Sequence, residues 1–320
     1  MSLDNLDKRI IYELDLNARA TVSEIAKKVR KSKETVNFRL NRLLDHQVIK
    51  GFVTIINTQK MGWFYQKVYL KFRNITREKE AEFYNYILKQ RNISYLAETE
   101  GYYDCFLLVL VNDPQKMALF LDNFMQKYGE FVRHKDIVTF LSVHRFNQRY
   151  LYKGGETVDR MNNMPLSNYQ LDETDNKLLS LIANHARISL VELSKQLLID
   201  PKAVKYHLNK LEKEKIILGY ALLTDFKLLG LQFFQINISL KDSSQRYKLI
   251  EFFNSTYKCL FAIELLGKYD LLVELHVKDN EELQSIINSF RDQFCDVYND
   301  YDIHTVNREY AMSWGSYFLK

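Results

Sequence analysis

Two hydrophobic periodicities alternate along the chain, and their order occurs twice. The first stretch is helical. Leu6, Ile10, Ile11 and Leu14 share one face of a helix that begins near Asp4 and ends in Asn17-Ala18-Arg19. A short second helix opens at Thr21 or Ser23 and turns Ile25, Ala26 and Val29 inward. Arg30-Lys31 forms a turn, and Ser32 caps a third helix, because its hydroxyl can accept from a free backbone N–H of the first turn. On that helix Val36, Leu40 and Leu43 recur at i, i+4 and i+7 and make a narrow apolar seam. Glu34, Phe38, Asn41 and Arg42 fall on the opposite face, with Asn37 beside them. Three short helices with tight turns are the helix-turn-helix plan, and a helix face of this kind fits the DNA major groove. The plainer reading of one such helix is an ordinary amphipathic surface helix.

Beyond it, Val48 to Asn57 reads as a strand, and from Trp63 the period changes to two. Val68, Leu70 and Phe72 alternate with Lys67, Tyr69, Lys71 and Arg73, the pattern of a half-buried strand. A helix over residues 77–90, strands from Ile93 to Glu98 and Cys105 to Val111, a helix opening at Pro114 and a strand from Asp136 to Val143 complete the order β-α-β-β-α-β. This is the ferredoxin-like sandwich. Residues 146–169 lose periodicity, hold Gly154-Gly155 and Pro165, and read as a linker.

The programme then repeats. Helix-turn-helix spacing covers residues 171–215, where Asp200 and Pro201 open the third helix and Val204, Leu208 and Leu211 form its seam. A strand from Ile216 to Thr224 and a second β-α-β-β-α-β run to Asn307 follow. A single gap-free shift lays Leu3, Asp4 and Asp7 on Leu171, Asp172 and Asp175, and Gly51 and Gly62 on Gly219 and Gly230. The expected fold class is α+β: a helix-turn-helix domain plus a ferredoxin-like domain, the pair duplicated. The expected divisions are residues 1–50, 51–145, the linker 146–169, 170–218 and 219–320.

Composition sharpens this picture in one respect. The net charge of the 320 residues is only +5, but residues 27–42 hold Lys27, Lys28, Arg30, Lys31, Lys33, Arg39 and Arg42 against Glu34 alone. Such local clustering points to nucleic acid. No apolar run approaches a membrane helix, the N-terminus reads as an amphipathic helix instead of a signal peptide, and the 3 scattered cysteines offer no disulfide framework. The expected location is the cytoplasm, with no membrane partner.

The pieces Leu3-Asp4-x-x-Asp7, Ser32 to Leu43, Val48-Ile49-Lys50-Gly51-Phe52 and Gly101-x-Tyr103-Asp104 resemble the Lrp/AsnC, or feast/famine, regulators. The resemblance covers nearly the whole chain, twice, where family members usually carry one unit and dimerise. It implies transcription regulation, RAM-type sandwich domains that mediate assembly, and an amino acid or similar small effector at their interfaces. The chain departs from the family where the third helix ends: Gln47 and Lys215 stand in place of glycine, and His207 stands where the first copy keeps Arg39.

Double-stranded DNA is the expected partner. The residues expected to meet it are Ser32, Lys33, Glu34, Asn37, Phe38, Arg39, Asn41 and Arg42 in the first copy. In the second they are Lys202, Lys205, Tyr206, His207, Asn209 and Lys210. The Asn amides suit base edges and the cations suit phosphates. The turns Gly101, Tyr103, Asp104 and Gly267, Tyr269, Asp270 are the expected effector border, against the alternative of structural turns that need glycine. The two sandwiches are expected to pair within the chain as a pseudo-dimer and to associate further. No catalytic constellation, metal site or cofactor motif stands out, so the chain is expected not to be an enzyme. Two alternatives stay open. One is a weakly specific architectural chromatin protein. The other is an enzyme similar to the siroheme decarboxylases, for which His144-Arg145 and His304 are the nearest candidates.

Overall fold

In chain order the elements are α1 (Asn5–Leu16), α2 (Val22–Val29), α3 (Lys33–Asp45), β1 (Ile49–Ile56), β2 (Phe64–Phe72), α4 (Arg77–Leu88), β3 (Ile93–Glu100), β4 (Cys105–Val111), α5 (Pro114–Tyr128) and β5 (Val132–Phe146). Then come β6 (Asp159–Asn163), α6 (Glu173–Ala183), α7 (Leu190–Leu197), α8 (Pro201–Lys213), β7 (Ile217–Thr224), β8 (Gln232–Leu240), α9 (Arg246–Ser255), β9 (Cys259–Gly267), β10 (Leu271–Val277), α10 (Asn280–Phe294) and β11 (Tyr298–Met312). This is a computed structural model, and it describes residues 3–152, 155–163 and 166–312. Gly154 and Pro165 of the expected linker lie outside the described residues.

Both helix-turn-helix units form as the spacing predicts, because each helix opens on a side chain that takes up a free N–H. Asp4 and Thr21 complete reciprocal capping boxes with Asp7 and Glu24, and Ser32 accepts from the Thr35 amide. Asp172, Ser189 and Asp200 do the same work in the second unit. Gln47 and Lys215 sit at φ +58° and +55°, the left-handed region that glycine enters cheaply. Gln47→Gly and Lys215→Gly should therefore each stabilise the fold by about 0.5–1 kcal/mol. The check is a higher denaturant midpoint at unchanged slope.

The connecting strands β1 and β7 pair with each other, antiparallel, from Ile49↔Thr224 to Ile56↔Ile217. Each then lies against the other unit's helices: Ala18 donates its N–H to the Tyr220 carbonyl and Ala186 to that of Phe52. Arg19 and Arg187 repeat the exchange, each donating to a backbone carbonyl of the opposite unit at 2.8 Å.

The two β-α-β-β-α-β sandwiches form as expected, and they also join. Their strands run in the order β2-β4-β3-β11-β8-β10-β9-β5-β6, and β2 pairs back onto β5. The sheet therefore closes on itself as a barrel, with β6 attached at the end of β5. β5 and β11 extend well beyond the expected Asp136–Val143 and Tyr301–Asn307, because each serves more than one partner. One portion of β5 pairs with β2 and an overlapping portion with β9; β11 divides itself in the same way between β8 and β3. Within the segment expected to be a structureless linker, residues 159–163 pair with Phe146 to Ser142.

Closure also corrects the reading of β2. Val68, Leu70 and Phe72 face α4 and α5, but the opposite side is buried too, with Lys67 only 1% exposed. That side looks into the barrel with Tyr69, Tyr95, Phe106, Phe140, Ile263 and Leu272.

Candidate functional site

Along α3, Ser32, Lys33, Glu34, Asn37, Phe38 and Asn41 are exposed, while Val36, Leu40 and Leu43 are buried. On α8 the exposed set is Lys202, Lys205, Tyr206 and Asn209. Phe38 and Tyr206 are 66% and 65% exposed, on the outward side that the spacing assigned them.

Four of the expected DNA-contacting side chains lie elsewhere. Arg39 Nη1 stands 2.6 Å from Asp4 and 3.1 Å from Asp7, and Arg42 Nη2 stands 2.6 Å from Asp7, whose carboxylate is fully buried. In the second unit His207 Nδ1 is 2.7 Å from Asp175, and Lys210 Nζ is 2.6 Å from Asp175 and 3.2 Å from Asp172. The acidic pair at the start of the first helix thus grips the third helix through two basic side chains one turn apart. This is also why His207 can replace arginine: the position needs a donor to a buried carboxylate. Asp172, Asp175 and His207 bring three ligand-type atoms within 4.8 Å of one another. Lys210 already stands on both carboxylates, so a cation would have to displace it.

The basic run around the first turn is different. Lys28 pairs with Glu13 at 2.9 Å, whereas Lys27, Arg30, Lys31 and Lys33 are exposed and have no ion pair among the described residues. The corresponding turn of the second unit holds Gln196, Leu197, Leu198 and Ile199, with Leu198 exposed.

The Gly-x-Tyr-Asp turns meet each other at one end of the barrel. Tyr103 and Tyr269 are buried with their hydroxyls 3.3 Å apart; Tyr103 also donates to Asp136, and Tyr269 to Asp302. Lys268 Nζ reaches the Tyr103 oxygen at 2.7 Å and Asp136 at 3.0 Å. Asp104 accepts from the Phe72 amide and Lys71, and Asp270 from the Leu240 amide. The glycines and tyrosines of these turns meet the opposite sandwich, the aspartates bind within their own, and none of the six lines the cavity at the other end.

That cavity lies between the barrel interior, β1 and β6. Lys67 Nζ donates to Gln235 Oε1 at 2.6 Å, and Gln235 Nε2 donates to Glu274 at 2.8 Å. Burial pushes the Lys67 ammonium down to about 7 and the Glu274 carboxyl up to about 7, while the attraction between them works against both shifts. Arg145 and Arg160 also line this space. Arg145 Nη2 pairs with the buried Asp15 at 2.7 Å, and Arg160 Nη2 donates to the Asp15 and Leu16 carbonyls at the end of α1. Sequence spacing missed Lys67, Glu274, Arg160 and Asn162. A lysine flanked by tyrosines on the nominally polar side of β2 was the available signal.

Burial opposes protonation of His144, but hydrogen bonds to Asp159 and Glu264 prevail and carry it up to about 9. His304 is held down to about 3 by burial and then by Lys67, Lys268 and Lys71, and neither ring nitrogen has a hydrogen-bond partner among the described residues.

Residues 3–44 match the model of the AsnC-type helix-turn-helix domain, and residues 171–217 match that of the winged helix-turn-helix DNA-binding domain. HTH-type transcriptional regulator Rv2324 of Mycobacterium tuberculosis is 32% identical over 123 residues, 38% of this chain and 80% of that protein. HTH-type transcriptional regulator LrpB of Bacillus subtilis is 26% identical over 131 residues, 41% of this chain and 86% of that protein. The crystal structure of the siroheme decarboxylase NirDL superposes with a TM-score of 0.64 at 12% identity, covering 97% of this chain and 93% of that one. This likeness corrects the expectation that the chain is not an enzyme, since the complete two-unit fold is one that an enzyme also uses. The two matched helix-turn-helix domains and the relative of which four-fifths is covered establish that the chain belongs to the Lrp/AsnC family, with two family units in one polypeptide.

Proposed function

We propose that this chain is a sequence-specific, double-stranded-DNA-binding transcriptional regulator; its relatives Rv2324 and LrpB are named HTH-type transcriptional regulators. The observation that carries the reading is the exposed face of α3 beside the unpaired cations Lys27, Arg30, Lys31 and Lys33. In this reading Asn37, Asn41 and Asn209 meet base edges, and Lys33, Lys202 and Lys205 meet phosphates. Phe38 and Tyr206 are placed to touch thymine methyls. Arg39, Arg42, His207 and Lys210 hold the reading helices in place from behind. The two heads are unequal, because the second has apolar residues where the first has its basic turn. Modulation by an amino acid or similar small effector at the sandwich interfaces is the regulatory part of this reading.

Binding to DNA selected from a random library, followed by anisotropy, is expected to weaken steeply between about 50 and 200 mM salt as condensed counterions are released. Lys31→Ala with Lys33→Ala should lower the slope of log K against log salt by about two units. A flat salt response, or no binding at low salt, would sink the proposal.

The NirDL likeness favours a second reading, chemistry on a tetrapyrrole like the siroheme named for that enzyme. The unpartnered His304 ring is the residue to watch. A change in the visible spectrum of siroheme on mixing, lost in His304→Ala, is the result that would put this reading first.

A further inference from the structure

At the end of the barrel under β1 and β6 lies a cavity of about 90 Å³. Much of its wall is apolar, with Phe106, Leu108, Phe140 and Ile263 among the lining side chains. Two residues of β6, Arg160 and Asn162, also line it, and they are 6% and 7% exposed. Being two apart on a strand, they project to the same face. Each keeps one polar atom without a hydrogen-bond partner among the described residues: Nη1 of Arg160 and Oδ1 of Asn162. Leaving a buried donor or acceptor unpaired costs about 1–3 kcal/mol, and more where the group is charged.

The charge is also only partly compensated: the Asp15 carboxylate attracts it but makes its hydrogen bonds to other groups. Arg160 Nη2 is spent on two neutral carbonyls, those of Asp15 and Leu16. The Asp15 carboxylate is taken by Arg145 at 2.7 Å and by the Gln148 amide at 2.8 Å. The fold makes room for this guanidinium: Gly219 lies at φ +154°, and a Cβ there would come within 2.5 Å of Arg160 Nε. Gly51, its counterpart in the first unit, has nothing within 4 Å. A cation only partly compensated therefore stands beside an acceptor short of a donor, at the edge of an apolar space.

We propose that this cavity binds a small 2-hydroxy monocarboxylate with an apolar side chain. The carboxylate accepts from Arg160 Nη1, the hydroxyl donates to Asn162 Oδ1, and the hydrocarbon lies against Phe106 and Leu108. At roughly 10–15 Å³ for each water-sized occupant, the space takes a ligand of about six to nine heavy atoms. β6 has no counterpart among the described residues of the second unit, so the described residues form one such site. The proposal rests on the cavity alone and holds whether or not α3 and α8 read DNA.

The test is calorimetric titration of the full chain, without DNA, with 2-hydroxy-3-methylbutanoate, 3-methylbutanoate and 2-hydroxy-3-methylbutanamide. The hydroxy acid should bind at one per chain. It should bind about fivefold more tightly than the deoxy acid and at least about tenfold more tightly than the neutral amide. Asn162→Leu should erase the preference for the hydroxyl while leaving the deoxy acid's affinity in place, which a merely structural role for Asn162 would not do. Leu108→Trp, which fills the cavity from the opposite wall, should abolish binding with the circular-dichroism spectrum unchanged. The proposal falls if none of the acids binds saturably, if the amide matches the acid, or if Asn162→Leu keeps the hydroxyl preference. The comparison of acid with amide decides on the unmodified chain even where a variant fails to fold.

Discussion

Lys67→Met is expected to destabilise the protein by about 3–5 kcal/mol, and removing the rest of its buried network should restore most of that loss. Lys67, Gln235 and Glu274 form one chain of contacts inside the barrel, Lys67 to Gln235 at 2.6 Å and Gln235 to Glu274 at 2.8 Å. Taking away the lysine leaves Gln235 Oε1 without its donor and the Glu274 carboxyl, still bonded to Gln235 Nε2, without the positive charge near it. Replacing all three, as Lys67→Met, Gln235→Leu and Glu274→Leu, leaves no orphan, and hydrophobic replacement of a buried ionic network is often neutral or stabilising. The single variant should also acquire a pH dependence. Burial holds the Glu274 carboxyl up at about 7 from 4.5, and Lys67 is the group that pulls it down. An acid whose folded value is raised supplies stability in full below its ordinary value and loses it as pH rises through the folded one. Below about pH 7 both proteins lose stability with rising pH at the rate set by this one carboxyl; from pH 7 to 8 the Lys67→Met protein, its carboxyl raised further, should go on losing stability where the unmodified chain levels off, by up to about 1.4 kcal/mol per pH unit. Urea unfolding across that range is the measurement. A triple variant as unstable as the single one would show that the network is needed for more than its own pairing.

Gly101→Ala and Gly267→Ala should each cost about 3 kcal/mol or more. Their φ values are +143° and +137°, and a Cβ would meet the Ile303 carbonyl oxygen at 2.8 Å and the Ile137 carbonyl oxygen at 2.9 Å. Those oxygens belong to β11 and β5, strands of the opposite sandwich, so the added methyl pushes on the seam that closes the barrel. Backbone cannot swing aside as a long side chain can. Gly51→Ala is the control: nothing lies within 4 Å of its Cβ position, and the change should stay within about 0.5 kcal/mol. Thermal unfolding of the three variants side by side reads the difference. Equal, small losses would mean that the seam yields.

Local chemistry was legible in the sequence wherever a single segment decides it. The seam of Val36, Leu40 and Leu43, the caps Asp4, Ser32 and Asp200, and the outward Phe38 and Tyr206 all stand where their spacing puts them. The duplication was legible for the same reason, since each copy carries the whole pattern. The helical wheel puts Arg42 on the outer face, but it fixes only where a side chain leaves the helix; a guanidinium on three methylenes ends some distance away, here on Asp7. The clue was present in both copies, as an acidic pair early in the first helix and a basic pair in the third. Lys67 was read as exposed because alternation on one strand cannot show a second sheet. The group that meets it, Gln235, lies 168 residues away. β6 escaped notice because Asp-Arg-Met-Asn-Asn has no apolar alternation; its pairing with β5 is made by backbone.

The closed barrel also sets a timetable for synthesis. The edge of β3 is satisfied only by β11, and Tyr95 meets Glu309 across 214 residues of intervening chain. At about 5–20 residues per second, a ribosome needs on the order of 10–40 seconds to bridge that gap. From Phe146 onward the first sandwich is complete in sequence, yet two of its strand edges, on β3 and β5, still await β11 and β9. A neighbouring nascent chain on the same message offers the same edges at the same moment. What the covalent join supplies is concentration: once made, β9 and β11 are held close to those edges and compete there with strangers as an intramolecular partner.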